Sequence, residues 1–192
     1  MQTMDLPHCD TPHQAEELLE KLKQRFAECG LQLHPDKTKI VYCKDSNRKA
    51  KYQNTSFDFL GFTYRPREAM NKQHNLRFVS FTPAASKKAM KLMRAKIKKC
   101  RFGRRTELEL KDIADISNTV LRGWINYFGQ YYGSELDSVF RHFNQTLVKW
   151  AMRKYKSLRG KKTKTIAFLN KLAKEKPKLF AHWSLGRPGA FA

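Results

Sequence analysis

Between residues 12 and 29, apolar side chains fall at Ala15, Leu18, Leu22, Phe26 and Cys29, the spacing of one helical face. Thr11 precedes them as an N-cap, Pro12 suits the first helical position, and Gln14 can complete a capping box. Gly30 can end the helix in a left-handed conformation. The pattern predicts a helix with these five side chains buried. The period then shortens. Leu31 and Leu33 alternate with polar residues, His34-Pro35-Asp36 makes a turn, and Thr38 to Cys43 reads as a strand. After a polar loop, Lys44 to Thr55, aromatics alternate along Phe57 to Tyr64, which predicts one strand. Leu76 to Phe81 is its expected hairpin partner, across a loop at residues 71–75.

From residue 82 onward the helical period returns. Thr82 and Pro83 are placed to cap a helix from Ala84 to Cys100, with Met90, Met93, Ile97 and Cys100 inward. Thr106 and Glu109 suggest a capping box for the next helix, with Ile113, Ile116, Val120, Trp124 and Tyr127 on its core face and a break near residues 129–133. Its end, Leu121-Arg122-Gly123-Trp124-Ile125-Asn126-Tyr127-Phe128, gathers three large aromatic rings within five residues. Ser134 caps a further helix reaching Leu158, with Val139, Phe143, Leu147, Trp150 and Tyr155 apolar. A cationic loop, Arg159 to Lys164, precedes a short helix ending before Pro177. Leu179 to Trp183 then brings an aromatic back onto the bundle.

Charge changes this picture of a mainly helical protein. The 192 residues carry a formal net charge of +22, which points to nucleic acid or an anionic membrane. No apolar run approaches the length of a membrane span, and the first ten residues lack the layout of a secretory signal. Residues 1–64 hold nine Lys/Arg and nine Asp/Glu, so the whole excess lies beyond residue 64. That shift marks a boundary near residues 64–71. The four cysteines, Cys9, Cys29, Cys43 and Cys100, form no CxxC pair and read as reduced thiols of a cytoplasmic protein. His8, Cys9 and His13 lack a fourth ligand at suitable spacing for a metal site.

At this point several motifs in one order carry a resemblance. Gly30 to Cys43 (GLQLHPDKTKIVYC) followed by Phe57 to Phe62 (FDFLGF) resembles the late palm of group II intron reverse transcriptases. Leu121 to Phe128, Lys149 to Lys156 (KWAMRKYK) and Leu179 to Trp183 (LFAHW) resemble the maturase-specific region of the same family. The likeness runs from about His8 to the C-terminus. In that family a Tyr-Ala-Asp-Asp motif stands just upstream of a strand ending in His-Cys, like His8-Cys9. Here Thr3 and Met4 fall where the two metal-binding aspartates belong, and Asp5 is the nearest carboxylate. Two-metal phosphoryl transfer needs clustered carboxylates, so no catalytic residue is assigned. The resemblance implies the C-terminal part of a maturase, from a truncated or split gene.

The resemblance assigns Phe59, Leu60, Gly61 and Phe62 to a primer-grip-like hairpin; as bare sequence, Phe57, Phe59 and Leu60 read as core. Lys37 and Lys39 suit a phosphate backbone, or are solvated lysines beside a turn. Trp124 and Tyr127 offer faces for base stacking, but their helical spacing favours the core, leaving Arg122 as the better contact. Arg153, Lys154, Lys156, Arg159, Lys161 and Lys162 are too dense for a merely solvated face and are expected to meet RNA, as is Lys149 in the KWAMRKYK motif.

The expectation is an α+β, mainly α fold. A palm remnant (residues 1–66) of one helix and short antiparallel strands precedes a hairpin strand and basic thumb helix (67–105) and a maturase-specific helical domain (106–192). The function implied is binding group II intron RNA and assisting its splicing, by neutralising phosphates where RNA helices converge. The chain itself would need no cofactor, with magnesium serving the intact polymerase or the RNA. Other readings are the thumb and primer-grip subunit of a split RNA-directed DNA polymerase, partnered by a separate fingers-palm fragment or a DNA target, and a general basic nucleic-acid-binding protein.

Overall fold

The computed structural model describes residues 6–71, 73–186 and 191, and its fold is α+β and mainly α. Thr3, Met4 and Asp5, the positions weighed against catalytic aspartates, lie outside the described residues. Helix α1 (Pro12–Glu28) begins as its sequence requires: Gln14 N–H donates to Thr11 Oγ1 at 3.2 Å, and Thr11 N–H donates to Gln14 Oε1 at 3.3 Å. It ends in a Schellman motif, with Leu31 N–H on Phe26 O and Gly30 N–H on Ala27 O. The expected burial of its stripe does not occur. Ala15, Leu18, Leu22 and Phe26 are half-buried, Cys29 is exposed, and the hydrophobic core takes nothing from this helix. An amphipathic helix buries its face only against a second surface, and the other elements pack on one another instead.

The strand expected at residues 38–43 is also absent. A strand needs a partner ladder, and here Tyr42 N–H meets Asn54 O at 2.9 Å within an irregular segment. That segment ends on the sheet, where Ser46 N–H donates to Val79 O and Val79 N–H donates to Ser46 Oγ at 2.7 Å.

The expected single strand at 57–64 is instead a hairpin. Strands β1 (Phe57–Phe59) and β2 (Phe62–Asn71) pair antiparallel around Leu60-Gly61. Both turn residues have positive φ, 47° and 82°, as a two-residue type I′ turn demands. Strand β3 (Leu76–Ala85) pairs with β2 along its full length and closes a three-stranded sheet in the order β1-β2-β3. Thr82 and Pro83 therefore lie in β3 and cap nothing. Ser86 takes that role, accepting from Ala89 N–H at 3.1 Å, and helix α2 spans Lys87–Cys100.

Helix α3 (Leu110–Phe128) starts one capping step later than expected. Glu109 is the N-cap, and its N–H donates to Asp112 Oδ2 at 2.8 Å. Its buried face is also rotated. Ile113, Ala114, Ser117, Asn118 and Leu121 are buried and Trp124 packs at the margin, whereas Ile116 and Tyr127 are about half exposed. A 3₁₀ turn, Gly133–Leu136, leads to α4 (Asp137–Lys154), and α5 (Lys162–Glu175) follows the cationic loop.

Helix α4 is the centre of the bundle, burying Val139, Phe140, Phe143, Asn144, Leu147, Val148, Trp150 and Ala151. Phe143 meets Phe102 on one side and Phe180 on the other, both edge-on. Burying each such ring stabilises by about 1.5–3 kcal/mol. The 179–183 segment docks as expected, and two asparagines fix it. Asn118 Nδ2 donates to Leu179 O at 2.9 Å while its Oδ1 accepts from Ala181 N–H at 2.8 Å. Asn144 Oδ1 lies 2.8 Å from His182 Nε2 and accepts from Trp183 Nε1 at 3.2 Å. No helix among the described residues is long and apolar enough to cross a membrane.

Candidate nucleic-acid interface

Four cations sit where helix stability alone would not put them. Lys87 and Lys88 occupy the first turn of α2, Lys162 and Lys164 that of α5, and neither turn contains an acid. A cation at the positive end of a helix is unfavourable by about 0.3–1 kcal/mol. A bound polyanion reverses that sign. At α5 the arrangement is sharper still. Gly160 turns the chain at φ 71°, Lys161 is the N-cap without a side-chain cap bond, and Arg159, Lys161 and Lys162 are exposed around it. Uncapped amide groups and three cations together suit a phosphate.

A second basic face lies where α2 packs along α4. His142 on α4 is held below the ordinary histidine range, first by partial burial and then by Arg94, Lys149 and Lys98. Arg94 is fixed there by donation to Ser138 Oγ at 3.3 Å. The part of this lowering that comes from charge, smaller than the part from burial, is contributed by cations on both helices. Lys149 belongs to this face.

The remaining expected contacts divide. Arg153 and Lys154 have structural partners: Arg153 Nη1 donates to Gly103 O at 2.6 Å, and Lys154 Nζ to Leu108 O at 2.8 Å and Glu109 Oε1 at 2.5 Å. Lys154 also lies 5.6 Å from the Trp150 ring centroid. Lys156 is exposed in the 3₁₀ turn before Arg159, and Arg122 is exposed on α3. Lys37 and Lys39 are exposed in the irregular segment at residues 31–56.

The hairpin tip is docked onto the helices. Leu60 is 64% exposed, Phe59 half-buried and Phe62 buried. Tyr127 donates its hydroxyl to Leu60 O at 2.9 Å, and Ser86 N–H donates to Gly61 O at 2.8 Å. A Cβ on Gly61 would sit 3.4 Å from the Phe128 ring, so the tip approaches α3 closely.

Residues 90–167 match the family model for the group II intron, maturase-specific domain. The match begins in α2 and ends in α5, so it spans both basic faces. It supports a group II intron maturase and a role in group II intron splicing. No curated protein and no solved structure matches the chain. Among the described residues, no group of three His, Cys, Asp or Glu side chains could hold a metal ion.

Three positions escaped the sequence reading. Arg67 is buried and bonds Glu135, yet a lone arginine in an alternating strand reads as solvated. His142 carried no motif, and the cations around it come from two helices. Asn118 lies on the buried face of α3 but off the stripe Ile113, Ile116, Val120, Trp124 and Tyr127, so no sequence signal pointed to it.

Proposed function

We propose that this chain binds group II intron RNA in the cytoplasm and helps it reach its splicing-competent fold, the intron itself being the catalyst and the user of magnesium. One coincidence carries the reading: the segment that matches the maturase-specific domain also places the uncapped start of α5 and exposed cations together at Arg159, Lys161 and Lys162. Lys149, with Arg94 and Lys98, extends the phosphate-binding surface onto the α2–α4 face, and Arg122, Lys156, Lys37 and Lys39 add weaker contacts. The sheet and α1 correspond to the end of a reverse transcriptase palm, with the Leu60-Gly61 tip as its primer grip.

Neutralising about six phosphates of single-stranded character gives a log K against log salt slope of roughly −4. Changing Arg159, Lys161 and Lys162 to glutamine flattens that slope while helical content, read by circular dichroism, stays the same. The unsubstituted protein should accelerate splicing of its intron at low magnesium, and the glutamine variant should not. Equal affinity for unrelated structured RNAs would reduce the reading to general basic binding.

The face of α1 favours a second reading. Leu18, Leu22 and Phe26 line an amphipathic helix on which the core does not close. A separately supplied fingers-palm fragment would cover that stripe and pair with residues 38–43, making this chain the thumb and primer-grip part of a polymerase. Co-expression with such a fragment tests it: a stable complex that extends a primed template is the expected outcome.

A further inference from the structure

Helix α3 turns an unusual strip of surface to solvent. Gly123 lies in the middle of the helix, exposed, and a Cβ built there would meet nothing within 4 Å. Glycine disfavours a helix interior relative to alanine, and no neighbour among the described residues requires its small size. Tyr127 follows one turn later on the same face. The residue is 48% exposed, yet fixed: the hydroxyl bonds Leu60 O, and the ring centroid lies 5.2 Å from that of Phe62. Tyr131 stands perpendicular to the same phenylalanine at 5.9 Å and is 63% exposed. Two tyrosines thus share one buried anchor and keep open surface beside bare helix backbone.

Charge decides what such a strip can take. From Ile116 to Ser134 the chain has no acidic residue, and Arg122 lies next to Gly123. Glu135, where acids resume, is bound by Arg67 at 2.8 Å and flanked by Arg65 at 3.7 Å. We propose that Gly123, Tyr127 and Tyr131 form a stacking platform for unpaired RNA nucleotides, the bases lying on the tyrosines and the sugar-phosphate backbone crossing Gly123 beside Arg122. Rigid aromatic rings accept any base face, and a missing side chain lets a backbone approach a helix. The inference rests on the RNA-binding reading and adds the class of RNA structure recognised: an unpaired strand, distinct from the phosphates met at Arg159 to Lys162.

The full chain is titrated with a labelled twelve-nucleotide unpaired RNA, the same RNA in a perfect duplex, and an abasic strand of equal length. Tyr131→Ala should weaken the unpaired RNA about tenfold and leave duplex and abasic binding and the salt slope unchanged. Tyr131→Phe should retain affinity. Gly123→Leu, which favours the helix and keeps both tyrosines, should weaken the unpaired strand as well. Unchanged affinity in Tyr131→Ala and Gly123→Leu, with normal salt-dependent RNA binding, overturns the platform and leaves the RNA-binding reading standing. Equal losses for duplex and abasic strands overturn it too. Loss of a co-expressed fingers-palm fragment without loss of RNA would make the strip a protein-docking surface and overturn it. Absence of any RNA binding by the wild type overturns both readings.

Discussion

The guanidinium of Arg67 on β2 bonds the carboxylate of Glu135, at the entry to α4, at 2.8 Å, with the Arg67 side chain 6% exposed. The same guanidinium lies 5.3 Å from the Tyr132 ring centroid and reaches Thr63 O and Thr82 O at 3.4 Å. The sheet is therefore joined to the helical bundle by a nearly buried charge. Removing one partner of such a pair leaves the other unsatisfied, which is where the penalty arises.

Because Glu135 is partly exposed, Glu135→Ala should destabilise the protein by about 2–3 kcal/mol, the worth of a charged hydrogen bond, read by urea denaturation. Arg67→Met, which removes the buried charge and keeps apolar bulk, should be milder. A larger loss for Arg67→Met than for Glu135→Ala would show that packing on Tyr132, not charge pairing, holds the junction.

Acid should weaken the core through His182. Burial pushes its pKa down to about 3, from about 6.5 in the unfolded chain. The unfolded state therefore binds the proton more readily, so stability is full above pH 6.5 and falls as pH drops toward 3. The slope is about 1.4 kcal/mol per pH unit, or about 2 kcal/mol between pH 6.5 and 5. His182→Phe, set among Phe140, Phe143 and Phe180, should lose stability at pH 7 and also lose this excess acid sensitivity. Parallel pH dependences in the two proteins would mean that His182 is not the titrating group.

Much of this arrangement was legible in the sequence because local chemistry specified it. The Thr11–Gln14 capping box, Pro12 and Gly30 bounded α1 correctly, and the apolar period of α4 named Phe143, Leu147 and Trp150. Errors gathered where tertiary partners decide. Burial of Leu22 depends on a surface that the other elements do not supply, and residues 38–43 need a strand beside them. The rotation of α3 has a similar cause: Ser117 and Asn118 face inward because Asn118 clasps residues 179–181, displacing Ile116 and Tyr127 to the outside. The turn at Leu60-Gly61 was hidden because leucine rarely adopts positive φ. Of the basic residues, sequence density could not separate Lys154, bound to carbonyls, from Lys162, open to solvent.

That separation gives a paired prediction. Lys154→Met removes an ammonium that is 16% exposed and tied to Thr106 O, Leu108 O and Glu109. It should destabilise by about 2–3 kcal/mol and leave the salt dependence of RNA binding unchanged. Lys162→Gln removes a cation from the positive end of α5 and should stabilise by a few tenths of a kcal/mol, while weakening RNA. Thermal denaturation and salt titration of both variants test it. A matching pattern in the two would deny the division into structural and binding cations.

The tip of the hairpin supplies a last case in which stability and binding should part. Leu60 adopts φ 47°, a left-handed conformation that strains a side chain branched and apolar like leucine, and it is also 64% exposed. Neither its backbone nor its burial selects leucine. Asparagine before glycine is the preferred pair for a type I′ turn, so Leu60→Asn should stabilise the hairpin by about 0.5–1 kcal/mol. The carbonyl that Tyr127 bonds is unaffected by the change. If the tip acts as a primer grip, the apolar side chain is what a nucleic-acid end meets, and Leu60→Asn should bind a primed template more weakly despite folding more firmly. Measured side by side, a stabilised variant with full affinity would place that contact elsewhere. A destabilised one would mean that Leu60 packs against the helices more tightly than its exposure indicates.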